Sequence, residues 1–199
     1  LLTALSPAMI AATAMDAFSH SAEAYTCKAA NVMMEPLALS SMEMIVKHLP
    51  AAMKAPGDLD ELEQLLIASC MAGQAFTQVG LHLGHAIAHG VGVYGHVHHG
   101  TACALVLPYA LSSVSEAIPD RIAKVGEILG TKIPAQATPR EIGLIVSDAL
   151  QLFNRSIGIK RLSDYGVTEE QLDSMAEYAV HEGGTQGNSF RPSPKAEVV

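Results

Sequence analysis

The sequence predicts an all-α fold built as one domain. Apolar residues recur at spacings of three and four along most of the chain, and the alternating pattern of β-strands is almost absent. Helix-starting residues precede these apolar segments, and clusters of Gly, Pro and Asp separate them. A chain of 199 residues that is 49% hydrophobic can bury one sizeable core. We therefore expect a multi-helix domain over residues 1–199.

The first two helices are predicted from prolines near their N-termini. Ser6 is the expected N-cap before Pro7, and a helix follows to Thr26 with an irregularity near Ala14. The second helix is expected over residues 35–53, again with a proline near its start. Its inward-facing residues should be Leu37, Met44, Ile45 and Leu49.

The third helix is expected after a turn-forming Pro-Gly-Asp sequence. Asp58 or Asp60 opens it, and it ends near Gly80. Its predicted apolar face contains Leu62, Leu65, Leu66, Ala68, Cys70, Met71 and Phe76. A short helix over residues 83–89 follows, and we expect it to stop in the glycine-rich stretch of residues 90–95.

The second half of the chain continues the helical pattern. A helix over residues 99–116 should be kinked or interrupted at Pro108, because proline lacks the N–H that a helix needs. Three more helices are expected over residues 119–129, 138–154 and 169–181. Thr138 and Thr168 are the expected caps of the last two. Residues 183–194 are rich in Gly, Thr, Gln, Asn, Ser and Pro and should form a loop.

Composition restricts the class of partner. The formal net charge is −8 with only 12 Lys and Arg and no basic run, which argues against nucleic acid or an anionic membrane surface. No segment reaches the roughly 20 apolar residues needed to span a bilayer. Three cysteines without a C-x-x-C pair suit a reducing compartment. We expect a cytoplasmic protein that binds a small molecule or another protein, with a homo-oligomer among the alternatives.

Two pairs of metal-capable residues indicate the chemistry. Asp16 and His20 are four residues apart, as are His85 and His89, so each pair shares one helix face. Six of the nine histidines fall between residues 82 and 99, which is more than core packing needs. Imidazole with carboxylate favours iron(II) or zinc(II), because magnesium and calcium prefer oxygen shells. The alternative is a histidine-rich surface loop.

Spacing alone leaves the choice of ligands open. The candidates in this region are His82, His85, His89, His96, His98 and His99. The same region matches G-x-G-x-x-G at residues 90–95. A dinucleotide-binding fingerprint needs a preceding strand and a following helix, however, and here a helix is predicted before it. We therefore favour a metal site over a nucleotide site.

Two long stretches carry a resemblance to a known family. Residues 7–25 read PAMIAATAMDAFSHSAEAY, in which a proline leads to Met-Asp-Ala, a histidine four residues after the aspartate, and Glu-Ala-Tyr. Residues 72–108 contain AGQAF, GHAIAH, a glycine-bearing loop, His-Gly and a helix ending in Leu-Pro. His99 follows His85 by 14 positions. These stretches resemble the two signatures of the iron-containing, group III alcohol dehydrogenases, specifically their helical C-terminal domain.

The resemblance implies roles for individual residues. It implies that the metal ligands are Asp16, His20, His85 and His99. It makes His89 a non-ligand near the nicotinamide that can relay a proton, and it places Phe76 in the substrate pocket. A segment near Asn188 is implied to close over the active site. Phe76 as ordinary core, and His89 as a histidine at a helix C-terminus, are the alternatives.

The sequence departs from the family pattern at several positions. Ala14 and His82 stand where the family usually has glycine, and His98 stands where proline commonly precedes the last ligand. His98 therefore competes with His99, and Gly100 favours His99 because the family has His-Gly there. The family's N-terminal nucleotide-binding domain, with its Gly-Gly-Gly-Ser phosphate loop, has no counterpart in these 199 residues.

The resemblance implies oxidation of a small alcohol by NAD(P), or the reverse reduction of an aldehyde, in the complete enzyme. The chain alone is then expected to bind metal, iron(II) or zinc(II), with little turnover. A metal-assisted hydrolase or lyase, and a non-catalytic metal-binding or assembly domain, are the rival classes. An HD-type hydrolase would need an adjacent His-Asp pair, which the sequence lacks.

Overall fold

The computed structural model of the chain describes residues 2–191. The α-helices in this part are Pro7–Thr26 (α1), Glu35–Lys54 (α2), Leu59–Val79 (α3), Leu83–Gly95 (α4), His99–Val114 (α5), Pro119–Ile128 (α6), Pro139–Ser156 (α7), Glu169–His181 (α8) and Gly183–Asn188 (α9). Short 3-10 helices cover Leu2–Ala4 and Leu162–Tyr165. Residues 2–191 contain no strand, so the predicted all-α fold is confirmed. No helix within this range is long and apolar enough to cross a membrane.

Helix α1 is the centre of the fold. It packs against α2, α3 and α5, and its small residues allow these helices to approach closely. Met15 and Phe18 are fully buried there and join Ile45 and Leu49 of α2 in the main core. Burying one such side chain stabilises the fold by roughly 1.5–3 kcal/mol. A smaller apolar cluster joins α4, α5 and α8, so α5 contributes to both cores.

The predicted caps explain where several helices begin. The Ser6 hydroxyl accepts a hydrogen bond from the Met9 N–H, and the Asp58 carboxylate accepts the N–H groups of Asp60 and Glu61. Thr138 and Glu141 form a reciprocal capping box at α7. Each cap satisfies N–H groups that a helix leaves unpaired at its start.

Pro108 does not interrupt α5, contrary to one of the two outcomes predicted for it. Proline has no N–H, so the carbonyl of Ala104 one turn earlier loses its helical donor. The side-chain amide of Asn154 on α7 donates to that carbonyl at 2.6 Å. A side chain on a neighbouring helix thus replaces the missing backbone hydrogen bond and ties α7 to α5.

The irregularity predicted in α1 and the end predicted for α4 are both wrong. Helix α1 runs through Ala14 without a break. Helix α4 does not stop at His89 but continues through three glycines to Gly95. The reason is tertiary packing, because a Cβ atom at Gly90 would lie 2.5 Å from the Met175 carbonyl oxygen of α8. Glycine is therefore the residue that lets α4 and α8 meet.

The predicted loop at residues 183–194 is also partly wrong. Gly183–Asn188 forms a short helix, and residues 192–194 lie outside the described residues. Asn188 donates through its side-chain amide to the carbonyls of Val79 and Leu81, which holds α9 against the α3–α4 connection.

On α3, the predicted inward residues Leu66 and Cys70 are exposed, because they lie on the face turned away from α1 and α2.

Candidate metal centre

The structure brings the four predicted ligands to one point. One ligand atom from each side chain lies within 4.8 Å of the others in a group of Asp16, His20, His85 and His99. The Asp16 Oδ1 atom is 3.8 Å from His20 Nε2, 3.7 Å from His85 Nε2 and 3.4 Å from His99 Nε2. Three helices supply them, because α1 carries the first pair while α4 and α5 each contribute one histidine.

The donor set and its spacing fit a divalent metal ion. The Asp16 Oδ1 atom is buried and has no hydrogen-bond partner among the described residues, so its separations from the imidazoles are not hydrogen bonds. Two ligand atoms that each lie about 2.1 Å from one tetrahedral metal are about 3.4 Å apart. Three imidazoles and one carboxylate match the preferences of iron(II) and zinc(II).

Ring stacking orients His20. Its imidazole stacks on Phe76 at a centroid distance of 4.2 Å and on His85 at 4.6 Å, with interplanar angles of 15° and 18°. Phe76 is half-buried, and its stacked ring supports the candidate ligand His20 directly. Its predicted position in a substrate pocket stays a prediction.

A close helix contact places His99. A Cβ atom at Gly100 would collide with the carbonyl oxygen of Ala12, so only glycine allows the start of α5 to approach α1 this closely. His99 is the first residue of α5, whereas the competing His98 is the N-cap residue, is exposed and lies outside the group. His96, with φ of 53°, ends α4 in a left-handed conformation before this turn.

Glu23 belongs to the centre and was missed in the sequence. Its carboxylate is fully buried, one oxygen lies 3.1 Å from His85 Nδ1, and the other accepts the His82 N–H at 2.6 Å. It therefore sits at the N-terminus of α4, where a negative charge is favourable. The available signal was its position on α1, seven residues after Asp16 and on the same helix face.

His82 has a structural role instead of a ligand's. Its ring is fully buried, and its Nε2 atom lies 2.8 Å from the Thr26 hydroxyl. That hydroxyl donates to the carbonyl of Ala22, so His82 Nε2 is the donor to Thr26. Burial lowers the pKa of His82, although the neighbouring Glu23 opposes this shift.

Both carboxylates of the centre are held ionised. Burial alone would raise the pKa of Asp16, but His85 and His99 outweigh it and hold that pKa well below its usual range. Burial likewise opposes ionisation of Glu23, and the neighbouring His82 and His85 lower its pKa to about 2. Both carboxylates therefore stay ionised at neutral pH.

The three histidines differ in protonation. Burial lowers the pKa of His20 to about 4, so its nitrogen lone pair is available to a metal. Burial works against protonation of His85 too, but Glu23 and Asp16 raise its pKa to about 12. Contacts with Asp16 and then Cys103 raise the pKa of His99 to about 10. A metal ion would displace these protons from His85 and His99.

Cys103 is a second residue of the centre that the sequence did not reveal. Its buried sulfur lies 3.6 Å from His85 Nε2 and 3.5 Å from His99 Nε2, beside the predicted ligand atoms but outside their group. It follows His99 by one helical turn, which is the only sequence signal for this position.

His89 lies beside the four-residue group, and its hydrogen-bond partner is Glu182. Its Nδ1 atom is 2.9 Å from the Glu182 carboxylate, and its ring stacks with His99 at 5.4 Å. A cavity of about 430 Å³ opens next to it, lined by residues of α4, α5 and α8 that include His99 and Tyr178. His99 is 43% exposed and His89 37% exposed, so a second molecule can reach this side of the centre.

Asn188 bonds to the segment after α1 and to the α3–α4 connection. Besides its contacts with the α3–α4 connection, its carbonyl accepts the Lys28 N–H and its side-chain oxygen accepts the Ala29 N–H. These bonds fasten α9 to the C-terminus of α1. The expected closure of this segment over an active site stays a prediction.

Comparison with known proteins places this arrangement in context. Residues 10–199 match the family model described as Fe-containing alcohol dehydrogenase family, C-terminal. The 1,3-propanediol dehydrogenase of Klebsiella pneumoniae is 33% identical over 91% of this chain and 47% of its own length. The NAD-dependent methanol dehydrogenase of Bacillus methanolicus is 33% identical over 89% of this chain and 46% of its own.

Solved structures agree with the sequence relatives. An alcohol dehydrogenase from Oenococcus oeni superposes with a TM-score of 0.90 at 28% identity, over 98% of this chain and 51% of that one. A 1,3-propanediol oxidoreductase gives a TM-score of 0.87 at 31% identity, with the same two coverages. The chain thus spans about half the length of the relatives it matches. It belongs to the iron-containing alcohol dehydrogenase family, within whose C-terminal domain its residues 10–199 fall.

Proposed function

We propose that this chain is the metal-binding part of an NAD(P)-dependent alcohol dehydrogenase or aldehyde reductase. The observation that carries the proposal is the convergence of the Asp16 carboxylate and three imidazole Nε2 atoms at 3.4–3.8 Å, beside a cavity open to a second molecule. The names of the relatives support small alcohols as substrates, and aldehydes are the products of their oxidation. We assign NAD(P) binding to a domain outside these residues.

The chain's own side chains have distinct proposed tasks. Asp16, His20, His85 and His99 would hold iron(II) or zinc(II), which when bound supplies Lewis acidity toward an alcohol or carbonyl oxygen. Glu23 fixes the ring of His85 by accepting its Nδ1 proton.

His89 is proposed to carry the proton of the reaction. His89 Nδ1–H donates a hydrogen bond to the Glu182 carboxylate, because an ionised carboxylate can only accept. The Nε2 atom of the neutral ring therefore carries a lone pair. It can take a proton from an alcohol, or return that proton to the alkoxide formed when an aldehyde is reduced.

Metal analysis tests the ligand assignment. The 199-residue chain should bind about one metal ion, and Asp16→Ala and His85→Ala should each lose most of it. His48→Ala is the matched control, because His48 pairs with Glu61 between α2 and α3, away from the centre. Full metal content in both ligand variants, measured on folded protein, contradicts the assignment.

Turnover assays test the reaction class. The isolated chain should not oxidise NADH or NADPH with a small aldehyde, whereas the product of the whole reading frame should, and His85→Ala in that protein should abolish the activity. Nicotinamide turnover by a sample of only these 199 residues would contradict the assignment of NAD(P) binding to another domain. Phosphate-ester hydrolysis by the metal-loaded chain would favour the rival hydrolase.

A further inference from the structure

A second cavity, separate from the metal centre, lies between α4, α5, the end of α7 and α8. Its volume is about 730 Å³, which is in the range of sites for small organic ligands. Leu83, Ile87 and Val91 line it from α4, while His85 of the same helix belongs to the candidate metal centre and His89 stacks beside it on His99. We call it the distal cavity, and α4 lies between it and the candidate metal centre.

The wall of the distal cavity is mainly apolar. Besides the α4 residues, Leu105 and Val106 of α5 and Met175 of α8 contribute side chains. The free energy falls when the apolar part of a ligand displaces water from such a surface. The wall therefore selects for a ligand with an apolar body.

The mouth of the distal cavity is cationic. Arg155, Lys160 and Arg161 lie within seven positions of one another and line it, although the chain has only 12 Lys and Arg and a net charge of −8. None of the three forms an ion pair with another described residue. Asp164, the nearest acid in sequence, is bonded through its carboxylate to the Arg161 backbone N–H. The cations are thus available to an anionic group.

One buried polar atom of the lining also lacks a partner. Asn154 is 4% exposed, and its side-chain nitrogen is used on the Ala104 carbonyl. Its side-chain oxygen has no hydrogen-bond partner among the described residues. An unpaired buried acceptor costs about 1–3 kcal/mol, so we expect an ordered water to donate to it in the occupied cavity.

We propose that the distal cavity binds a small amphipathic anion, a carboxylate with an apolar chain, whose head group meets Arg155, Lys160 and Arg161. Charge complementarity at the mouth and apolar burial within are both required for binding. The proposal does not depend on the dehydrogenase function, because no predicted metal ligand lines this cavity.

Fluorescence titration tests the proposal on the full 199-residue chain. The chain contains no tryptophan, so Tyr109→Trp places a single reporter on the cavity lining, at a position that is 61% exposed. Octanoate is the probe, octanamide is its neutral match, and acetate carries the charge alone. Octanoate should bind at least tenfold more tightly than either.

Charge variants in the reporter protein identify the head-group site. The triple change Arg155→Gln, Lys160→Gln, Arg161→Gln should weaken octanoate at least tenfold and leave octanamide unchanged. Lys47→Gln, Lys54→Gln, Lys132→Gln removes the same charge elsewhere and should have little effect. Equal binding of octanamide, equal effects of the two triples, or no octanoate binding overturns the proposal. Unchanged far-UV circular dichroism and urea unfolding of the charge variants show that they are folded.

Discussion

His85 donates its Nδ1 proton to Glu23 across 3.1 Å, and the two side chains are 1% and 0% exposed. This bond leaves His85 Nε2 directed at Asp16 Oδ1, 3.7 Å away. A carboxylate that accepts the second N–H of a metal-binding histidine fixes the ring orientation and the tautomer. It also makes the other ring nitrogen a stronger electron-pair donor to the metal. The buried charge of Glu23 is in turn stabilised by the His82 N–H at the start of α4.

Glu23→Gln should weaken metal binding without removing a ligand. The amide keeps the shape of the side chain but not its charge, so His85 loses the partner that orients it, and metal affinity should fall by about 10–100-fold. Competition with a chromophoric chelator measures this loss. Glu61→Gln is the control, because it removes a carboxylate from Nδ1 of a remote histidine, His48. Equal affinities in the two variants would refute a positioning role for Glu23.

Gly100→Ala should damage the centre through the backbone. A Cβ atom there would collide with the Ala12 carbonyl, so α5 must shift away from α1 and carry His99 with it. We expect a loss of about 1–3 kcal/mol in the free energy of unfolding, together with weaker metal binding. Gly73→Ala is the matched change, because nothing lies within 4 Å of its Cβ position, and it should be neutral or stabilise α3 by up to about 1 kcal/mol. Similar unfolding free energies for the two variants would show that the close contact is unimportant.

The parts of the fold that depend on local chemistry could be predicted from the sequence. Ser6, Asp58 and Thr138 start helices because their side chains satisfy free N–H groups, and these caps are confirmed. The end of α4 could not be predicted, because Gly90 is a poor helix former whose value lies in a contact with α8, 85 positions later at Met175. Local propensity carries no information about such a contact.

In the candidate site too, features set by local spacing could be predicted and those set by distant contacts could not. Ligand-type residues at helical spacing were visible in the sequence, and the structure brings Asp16 and His20 together with two distant histidines. Glu23 was not visible, because it lies among alanines on a buried helix face and its partners on α4 are 59 and 62 positions away. Cys103 was not visible for the same reason, since only the folded chain places its sulfur beside His85.

Asn154→Ala should destabilise the protein because Pro108 leaves the Ala104 carbonyl without a donor. The variant leaves that buried carbonyl unpaired, which should cost about 1–3 kcal/mol in urea unfolding. Pro108→Ala restores a backbone N–H one turn after Ala104, so the cost of Asn154→Ala should be smaller in that background. A double-mutant cycle isolates this coupling from the volume lost with the side chain. Additive effects would mean that Asn154 does not substitute for the missing helical bond.

His89→Asn should separate metal binding from proton transfer. His89 is not in the ligand group, so metal content should stay at the level of the unchanged protein, whereas His85→Ala should lose it. In the product of the whole reading frame, aldehyde-dependent oxidation of NADH or NADPH should fall by about 10²–10⁴-fold, which is the usual contribution of a positioned acid–base group. His181→Asn is the control, since among the described residues that exposed histidine has its polar contacts with the Glu177 carbonyl and carboxylate of its own helix. Loss of metal from His89→Asn would make His89 a ligand, and unchanged turnover would remove it from the reaction.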